Sequence, residues 1–309
     1  RPVDPEEAPM HTSRLRCRDR VALVTGASQG GTGTAIARRL AAEGATVAIV
    51  ARSADGLATT RRLIEDDGGR ALPFVVDLAD PDGGRNHLVD TVTEQIGPVD
   101  ILVNNAAANG YRPFDEWTDR QIDINHQVNV LAPWRLMADV APTMRARGEG
   151  WIVNVTSFAA QHPPGPPFPT TRVALQGAGY GTTKAALNRL TTSVAAELAP
   201  YGIAVNALAP QAAIATPHLV ASGAVPADRF EPLETMAEAA LALATADPAT
   251  LSGQITRSIE LLIALGRNVR QLDGTGSVDG WGQVEMASFV DHQRSILESN
   301  GWSDPFGTT

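Results

Sequence analysis

Short apolar runs alternate with helix-compatible stretches along most of this chain, and this alternation limits the fold more than any other feature of the sequence. The apolar runs cover residues 21–24, 46–50, 71–76, 99–103, 151–155 and 203–208. The helix-compatible stretches between them cover residues 33–43, 55–67, 82–96, 119–147 and 178–199. Apolar runs separated by helices of about ten or more residues indicate βαβ crossovers and a parallel sheet. We therefore predict a Rossmann-type α/β fold, a doubly wound parallel sheet with helices on both faces.

The limits of this pattern predict the domain organisation. Residues 1–19 are polar and contain prolines, so we predict a loosely held N-terminal arm. Residues 20–266 form a single Rossmann-type domain, and residues 267–309 form a C-terminal extension packed on it, because ~40 residues are too few for a separate core. Residues 162–169 contain five prolines. Neither a helix nor a central strand accepts such a run, so we predict an inserted loop there.

Composition excludes several classes of function. The formal net charge of -9 disfavours nucleic acid as a partner, since its phosphates would be repelled. The single cysteine, Cys17, cannot form an intramolecular disulfide, which favours a reducing compartment. No apolar run reaches the ~18 residues of a membrane span, and the first residues lack the apolar stretch of a signal peptide. We expect a cytoplasmic protein without a metal site, because the six histidines are scattered.

A glycine-rich turn lies between the first apolar run and the first helix. The small residues that we assign to nucleotide binding are Gly26, Ser28, Gly30, Gly31 and Gly33. Glycines there allow a tight turn and let backbone N–H groups approach a pyrophosphate, and the helix N-terminus adds a partial positive charge. A turn that only connects a strand to a helix, without binding a nucleotide, could also need such glycines. The strand–turn–helix context favours a dinucleotide site.

The end of the second apolar run predicts which dinucleotide binds. A carboxylate at this position would hold an adenosine 2′-hydroxyl, whereas an arginine would pair with a 2′-phosphate. The chain has Arg52 and Ser53 here and no acidic residue. We therefore predict NADP(H) rather than NAD(H) as the cofactor.

Two further segments contribute to the predicted cofactor cleft. Asp77 and Leu78 end the third apolar run, where the Asp77 carboxylate can accept a hydrogen bond from the adenine amino group. Asn105 and Ala106 end the fourth run, where paired asparagines can bridge strands and line the cleft.

A tyrosine and a lysine open the helical stretch that starts at residue 178. Tyr180 and Lys184 are four residues apart, so they share one helical face. A free phenol has a pKa near ~10, and a neighbouring cation favours the phenolate. Tyr180 is therefore a candidate proton donor to a carbonyl or acceptor from an alcohol.

With these residues the chain resembles the short-chain dehydrogenase/reductase family over about residues 18–265. The matching pieces, in the family's order, are Thr25-Gly26 with Gly30 and Gly33, Asp77, Asn104-Asn105-Ala106, Asn129, Ser157, Tyr180 and Lys184. The resemblance implies an oxidoreductase that moves a hydride between NADP(H) and a carbonyl or alcohol substrate. It also implies a homodimer or homotetramer, formed by the helices around Asn129 and after Tyr180.

The same resemblance implies a role for each site residue. Tyr180 would be the general acid/base, and Lys184 would lower its pKa and hold the nicotinamide ribose. Ser157 would hydrogen-bond the substrate oxygen, and Asn129 would hold a water in a proton relay from Lys184. Thr216 would contact the nicotinamide carboxamide.

The chain departs from the family pattern in three places. An extra residue separates Gly30 from Gly33, which leaves open whether Gly30 or Gly31 takes the middle position. Ser157 lies 23 residues before Tyr180, a longer separation than the family's, and the surplus matches the proline-rich insertion in length. Residues 210–216 begin Pro-Gln rather than Pro-Gly, as in the hydroxysteroid-dehydrogenase-like branch.

Two other functions stay open at this point. One is a non-catalytic nucleotide-binding sensor or scaffold of the same fold, which the presence of both Tyr180 and Lys184 disfavours. The other is a sugar-nucleotide epimerase or dehydratase, which the Gly30-x-x-Gly33 spacing favours and the short tail disfavours. Residues 219–232 are expected to cover the site as a lid. Further wall is expected from residues 163–168 and from Trp281, Trp302 and Phe306 of the tail.

Overall fold

A computed structural model describes residues 15–28 and 30–302. The strands are β1 (Val21–Thr25), β2 (Thr46–Ala51), β3 (Arg70–Val75), β4 (Ile101–Asn104), β5 (Gly150–Val155), β6 (Ile203–Ala209), β7 (Ala213–Ile214), β8 (Phe230–Glu231) and β9 (Ile255–Arg257). The helices are α1 (Thr32–Ala42), α2 (Ala54–Asp66), α3 (Leu88–Gln95), α4 (Asp119–His126), α5 (Ala132–Arg147), α6 (Arg172–Gln176), α7 (Ala178–Leu198), α8 (Pro217–Ser222), α9 (Leu233–Leu243), α10 (Ser258–Ala264) and α11 (Gln283–Ser299).

Seven strands form one parallel sheet in the order β3-β2-β1-β4-β5-β6-β9, and β7 and β8 form a separate parallel pair. The chain reverses its direction of winding between β1 and β4, which are neighbours in the sheet but not in the sequence. In open α/β sheets a ligand binds in the crevice at such a switch point. The predicted Rossmann-type doubly wound sheet is confirmed.

Alternate residues of β1 show how the helices cover both faces. Ala22 and Val24 belong to a core cluster that also contains residues of α1, α2, α9, α10 and α11. Val21 and Leu23 belong to a second cluster that contains residues of α3, α5 and α7. Because successive strand residues point to opposite faces, each face of the sheet has its own helical layer.

The prediction of the elements after residue 208 was incomplete. The sequence analysis identified neither α9 nor β9. Nearly every residue of α9 is buried, so the helix has no polar face and no 3.6-residue periodicity to detect. The three residues of β9 are too few for a strand pattern to stand out.

Two predicted helices are interrupted. The stretch 82–96 contains a 3₁₀ turn at Arg85–His87 before α3, because Gly84 has a left-handed φ of 98°. The stretch 119–147 contains a π turn, Gln127–Leu131, between α4 and α5. Such π turns occur frequently at functional sites, and this one contains Asn129.

The chain termini pack on the sheet domain as far as the structure describes them. Residues 1–14 of the predicted arm and Phe306 lie outside the described residues. The Cys17 N–H donates to the Glu43 carbonyl at 2.8 Å, and burial raises the pKa of the Cys17 thiol to about 12. Met286 and Val290 of α11 enter the same core cluster as β1. None of the helices in the described ranges is both long and apolar enough to cross a membrane.

Candidate active site

A cavity of about 600 Å³ opens above the carboxyl ends of β1 to β4. Its lining includes Gly26, Ser28, Arg52, Ser53, Asp77, Leu78, Asn105 and Ala106, together with Ala108, Ile124 and Val128. Most of the residues predicted to bind the cofactor therefore converge on one cavity at the switch point. They come from four separate strand ends, which the parallel sheet aligns at one edge.

The glycine-rich turn needs glycine at three of its positions. Gly26 and Gly30 have left-handed φ values of 67° and 68°. A Cβ atom on Gly33 would lie 2.3 Å from the Gly26 carbonyl oxygen, which no real contact allows. Gly31 has an ordinary φ of -87°, and a Cβ there would meet no described atom within 4 Å. Gly30, not Gly31, is therefore the middle glycine that the turn requires.

Thr25 joins the two strands that flank the switch point. Its hydroxyl donates to the Val103 carbonyl at 3.3 Å and accepts from the backbone N–H groups of Asn105 and Ala106, both at 3.0 Å. The Asn105 amide donates in return to the Thr25 and Gly26 carbonyls. The sequence analysis gave Thr25 no separate role, although these bonds hold the cavity floor together.

The three residues predicted to contact the adenosine have distinct environments. Arg52 is exposed at the cavity edge, and among the described residues it has no carboxylate partner. The Ser53 hydroxyl accepts from the Gly56 N–H at 3.1 Å and caps α2. One Asp77 carboxylate oxygen accepts from the Ala79 N–H at 2.9 Å. Arg52 is therefore free to pair with an anionic ligand.

Tyr180 meets Ser157 despite the long separation between them in sequence. The Ser157 hydroxyl lies close enough to the Tyr180 phenol to lower its pKa, and the Ser157 oxygen accepts from the Ala159 N–H at 3.1 Å. Burial raises the pKa of Tyr180, and the neighbouring Tyr111 phenol raises it further, while Ser157 lowers it. Burial has the larger effect, so the phenol keeps its proton at neutral pH.

Lys184 is fully buried beside Tyr180. Its ammonium donates to the Val155 carbonyl at 2.7 Å and lies 5.7 Å from the centroid of the Tyr180 ring. Burial lowers the pKa of Lys184 to about 8. In the protein alone burial raises the pKa of Tyr180 overall, and the contribution of Lys184 in lowering it stays a prediction. The effect of burial on the pKa of Tyr180 is larger than the effect expected from a cation on the same helical face.

Asn129 links the loop after β4 to α7. Its side-chain oxygen accepts from the Ala108 N–H at 2.9 Å. Its amide donates to the Ala108 carbonyl at 2.7 Å and to the Thr183 hydroxyl at 2.9 Å. Both N–H groups of the Asn129 amide therefore have acceptors within the protein. One of these acceptors, Thr183, is the residue directly before Lys184 in the sequence.

Of the residues expected to cover or line the site, Trp302 packs next to Ser157, and the lid of residues 219–232 stays a prediction. Thr216 caps α8, where its hydroxyl accepts from the Leu219 N–H at 3.3 Å. Trp302 is buried with its ring centroid 4.9 Å from that of Phe158, the residue after Ser157. Trp281 packs instead on Phe289 beside the sheet core. Among the described residues, no group of His, Cys, Asp or Glu side chains could hold a metal ion.

Tyr111 is a site residue that the sequence analysis missed. Its ring centroid lies 5.9 Å from that of Tyr180 in an edge-to-face arrangement. The two tyrosines are far apart in sequence and belong to no shared motif, so only the folded chain brings them together.

The strand order, the glycine-rich turn and the cavity above them define a dinucleotide-binding protein of the Rossmann type. A family model described as short chain dehydrogenase matches residues 20–224, which is more than half of the chain. The chain therefore belongs to the short-chain dehydrogenase family of oxidoreductases, as its sequence predicted.

Individual relatives agree with this assignment. A gluconate 5-dehydrogenase of Gluconobacter oxydans is 32% identical over 245 residues, which are 76% of this chain and 91% of the relative. Another curated relative is covered over only 59% of its length. A crystal structure of a gluconate 5-dehydrogenase from Burkholderia cenocepacia, in complex with NADP and tartrate, has a TM-score of 0.66 and 31% identity and covers 79% of this chain and 95% of that one. A 3-oxoacyl (acyl-carrier-protein) reductase from Agrobacterium tumefaciens with NADP bound has a TM-score of 0.69 and 28% identity, covering 80% and 97%.

Proposed function

We propose that this protein is an NADP(H)-dependent oxidoreductase that interconverts a carbonyl and an alcohol, with Tyr180 as the general acid/base. The observation that carries the proposal is the position of the buried Lys184 ammonium, 5.7 Å from the centroid of the Tyr180 ring, with Ser157 close enough to the phenol to lower its pKa. The proline-rich insertion separates Ser157 from Tyr180 in sequence, yet the fold brings the two residues into one site. A scaffold without chemistry has no need for this convergence.

The residues of the cleft fit a dinucleotide with a 2′-phosphate. Gly26 and Gly30 precede α1, which begins at Thr32 and whose N-terminus would bind a pyrophosphate. Arg52 would pair with the 2′-phosphate, Asp77 would accept from the adenine amino group, and Thr216 would hold the carboxamide. Lys184 would hold the ribose. The NADP found in similar solved structures supports this preference.

The bound cofactor would supply or take up the hydride, and the protein's own groups would handle the proton. In reduction, the Ser157 hydroxyl donates a hydrogen bond to the substrate oxygen and stabilises the charge that develops on it. The Tyr180 hydroxyl then gives its proton to this oxygen. The Lys184 ammonium stabilises the phenolate that remains. In oxidation, the Tyr180 oxygen takes the proton from the alcohol.

The cofactor preference is tested by fluorescence titration of NADPH and NADH. We expect NADPH to bind more tightly, and Arg52→Gln to weaken NADPH by about 10-fold or more through the loss of a charge-assisted pair, with little change for NADH. Arg62→Gln, an exposed arginine on α2, is the matched control. Tighter binding of NADH by the wild-type protein would contradict the preference.

The reaction class is tested by a panel of ketones and aldehydes with NADPH. We expect turnover of at least one carbonyl, and a fall in kcat of about 10²-fold in Ser157→Ala, since one oxyanion donor is lost. Cofactor binding without turnover of any member of the panel would instead favour the non-catalytic sensor or scaffold.

We also propose that the chain forms a homodimer or homotetramer through α5 and α7. Trp134 of α5 is 57% exposed, and Leu131, the residue directly before α5, is 43% exposed. Trp134 lines a surface cavity of about 230 Å³ together with Leu190 and Val194 of α7. Light scattering should give two or four chains, and Trp134→Glu should shift the population toward monomer. A monomeric wild-type protein would contradict the proposal.

A further inference from the structure

We propose that Tyr111 is a positioning residue for Tyr180, and that Arg172, from the segment inserted between Ser157 and Tyr180, holds Tyr111 in place. The proposal rests on the proposed function, because it concerns the group that would transfer the proton. It gives α6, which follows the proline-rich insertion, a role in the site beyond spanning the distance between Ser157 and Tyr180.

The contact between the two rings is of a kind that fixes orientation. Their centroids are 5.9 Å apart and their planes meet at 64°, within the range in which edge-to-face pairs are favourable. Lys184 lies on the Tyr180 ring as well, with its ammonium 5.7 Å from the ring centroid. Tyr180 is in the first turn of α7, so these two contacts limit the rotation of its ring.

Arg172 holds Tyr111 by its ring and by its backbone. The guanidinium carbon lies 5.6 Å from the centroid of the Tyr111 ring, within the reach of a cation–π contact. An Arg172 N–H also donates to the Tyr111 carbonyl at 3.4 Å. At the other end of α6, the Gln176 carbonyl accepts from the Arg112 N–H at 3.1 Å. Both ends of this short helix are thus attached to the loop that contains Tyr111.

The tail of the chain fixes the same helix from another direction. Thr171 caps α6 by accepting from the Ala174 N–H at 3.3 Å. The Trp302 indole donates to the Thr171 hydroxyl at 3.4 Å, while its ring packs on Phe158 next to Ser157. The segment of Thr171 and α6 is therefore attached to the Tyr111 loop directly and to the Ser157 side of the site through Trp302, which is the arrangement expected of a positioning element.

The experiment measures kcat in two variants of Tyr111, which test the contribution of its ring and that of its hydroxyl separately. Tyr111→Ala removes the edge contact, and we expect kcat to fall by about 10- to 100-fold, since a small misplacement of a reacting group costs that much. Tyr111→Phe keeps the ring and should retain kcat within about 3-fold. Arg172→Ala, at an exposed position that should tolerate the change, should lower kcat by about 3- to 10-fold.

The matched control is Tyr201→Ala. Tyr201 also carries an arginine on its ring, with the Arg145 guanidinium carbon 5.1 Å from the centroid, but it lies beyond the other end of α7, roughly 30 Å from Tyr180. Its loss should leave kcat unchanged. NADPH affinity, measured by fluorescence, should be the same in all these variants, which distinguishes positioning of Tyr180 from general damage to the fold.

A double-mutant cycle with Tyr180→Phe distinguishes the failure of this inference from that of the proposed function. If Tyr111 acts through Tyr180, Tyr111→Ala should cause no further loss in the Tyr180→Phe background. If Tyr180→Phe alone retains full activity, the proposed function fails. If Tyr180→Phe is impaired but Tyr111→Ala and Arg172→Ala keep wild-type kcat, or if the losses in the cycle simply multiply, the positioning role is overturned.

Discussion

The substitution Thr25→Val removes the one hydroxyl that bridges β1 and the end of β4, while keeping the shape of the side chain. Thr25 is buried, with 1% of its surface exposed, so the substituted side chain has almost no contact with solvent. The Ala106 N–H loses its bond to the Thr25 oxygen at 3.0 Å. The Asn105 N–H keeps the Val103 carbonyl, 3.1 Å away, as a second acceptor.

The expected loss of stability follows from the different situations of the two N–H groups, since that of Ala106 loses its acceptor and that of Asn105 keeps one. An unsatisfied buried N–H costs about 1–3 kcal/mol, and the net loss of one hydrogen bond adds about 1 kcal/mol. The added methyl group recovers about 0.8 kcal/mol. We therefore expect Thr25→Val to lower the free energy of unfolding by about 1–3 kcal/mol. NADPH affinity should also fall, since Asn105 and Ala106 line the cofactor cavity.

Urea unfolding and NADPH fluorescence titration measure the two effects. Thr25→Ser, which keeps the hydroxyl, should retain NADPH affinity. Thr34→Val is a second control, because the buried Thr34 hydroxyl has a single side-chain partner, Thr60, at 3.1 Å and should cost only about 1 kcal/mol. A Thr25→Val protein with less than about 1 kcal/mol of destabilisation and unchanged NADPH affinity would refute the bridging role.

Three further predictions concern Glu231, the glycine-rich turn and Trp302. Glu231 is fully buried, and burial raises its pKa from 4.5 to about 7, so the folded protein holds a proton that the unfolded chain has lost. Stability should therefore fall as pH rises from about 4.5 to about 7, and a Tm–pH profile of Glu231→Gln should lack this component; an unchanged profile would contradict it. Gly33→Ala should lower both Tm and NADPH affinity because its Cβ meets the Gly26 carbonyl, whereas Gly31→Ala should change neither, and equal effects would contradict the assignment of the turn. Trp302→Ala should lower Tm, through a cavity worth about 3–5 kcal/mol, and kcat without changing NADPH affinity; wild-type kcat would exclude a contribution of the tail to the site.

Local sequence patterns predicted the parts of the fold in which each element is amphipathic or bounded by glycine. The helix α1 begins and ends within a residue or two of its predicted limits, because its apolar positions repeat with helical spacing and Gly44 follows it. The helix α9 lacks this contrast, since it is buried on all sides, and its existence depends on packing against α1 and α10. Periodicity identifies an element only where one of its faces meets water.

The candidate site was predictable where a residue follows a strand or shares a helical face with another. Arg52, Asp77 and Asn105 all follow strands of one parallel sheet, so their convergence required only the fold. Tyr111 approaches Tyr180 through a loop whose path is set by α6, which no local pattern describes.

The pKa of Tyr180 shows a second limit of local reasoning. The spacing from Lys184 correctly placed the two side chains together, but the sequence contained no measure of their burial. Desolvation depends on the whole surrounding structure, and here it raises the pKa of the phenol and lowers that of the amine.

The central claim is that the Tyr180 hydroxyl transfers the proton when a carbonyl is reduced. The most direct measurement mixes the preformed NADPH complex with a reactive ketone and follows the nicotinamide absorbance in a single turnover, for the wild-type protein and Tyr180→Phe. We expect Tyr180→Phe to bind NADPH normally and to lose about 10²- to 10⁴-fold in the rate of NADPH oxidation. Oxidation at the wild-type rate in Tyr180→Phe would contradict the claim.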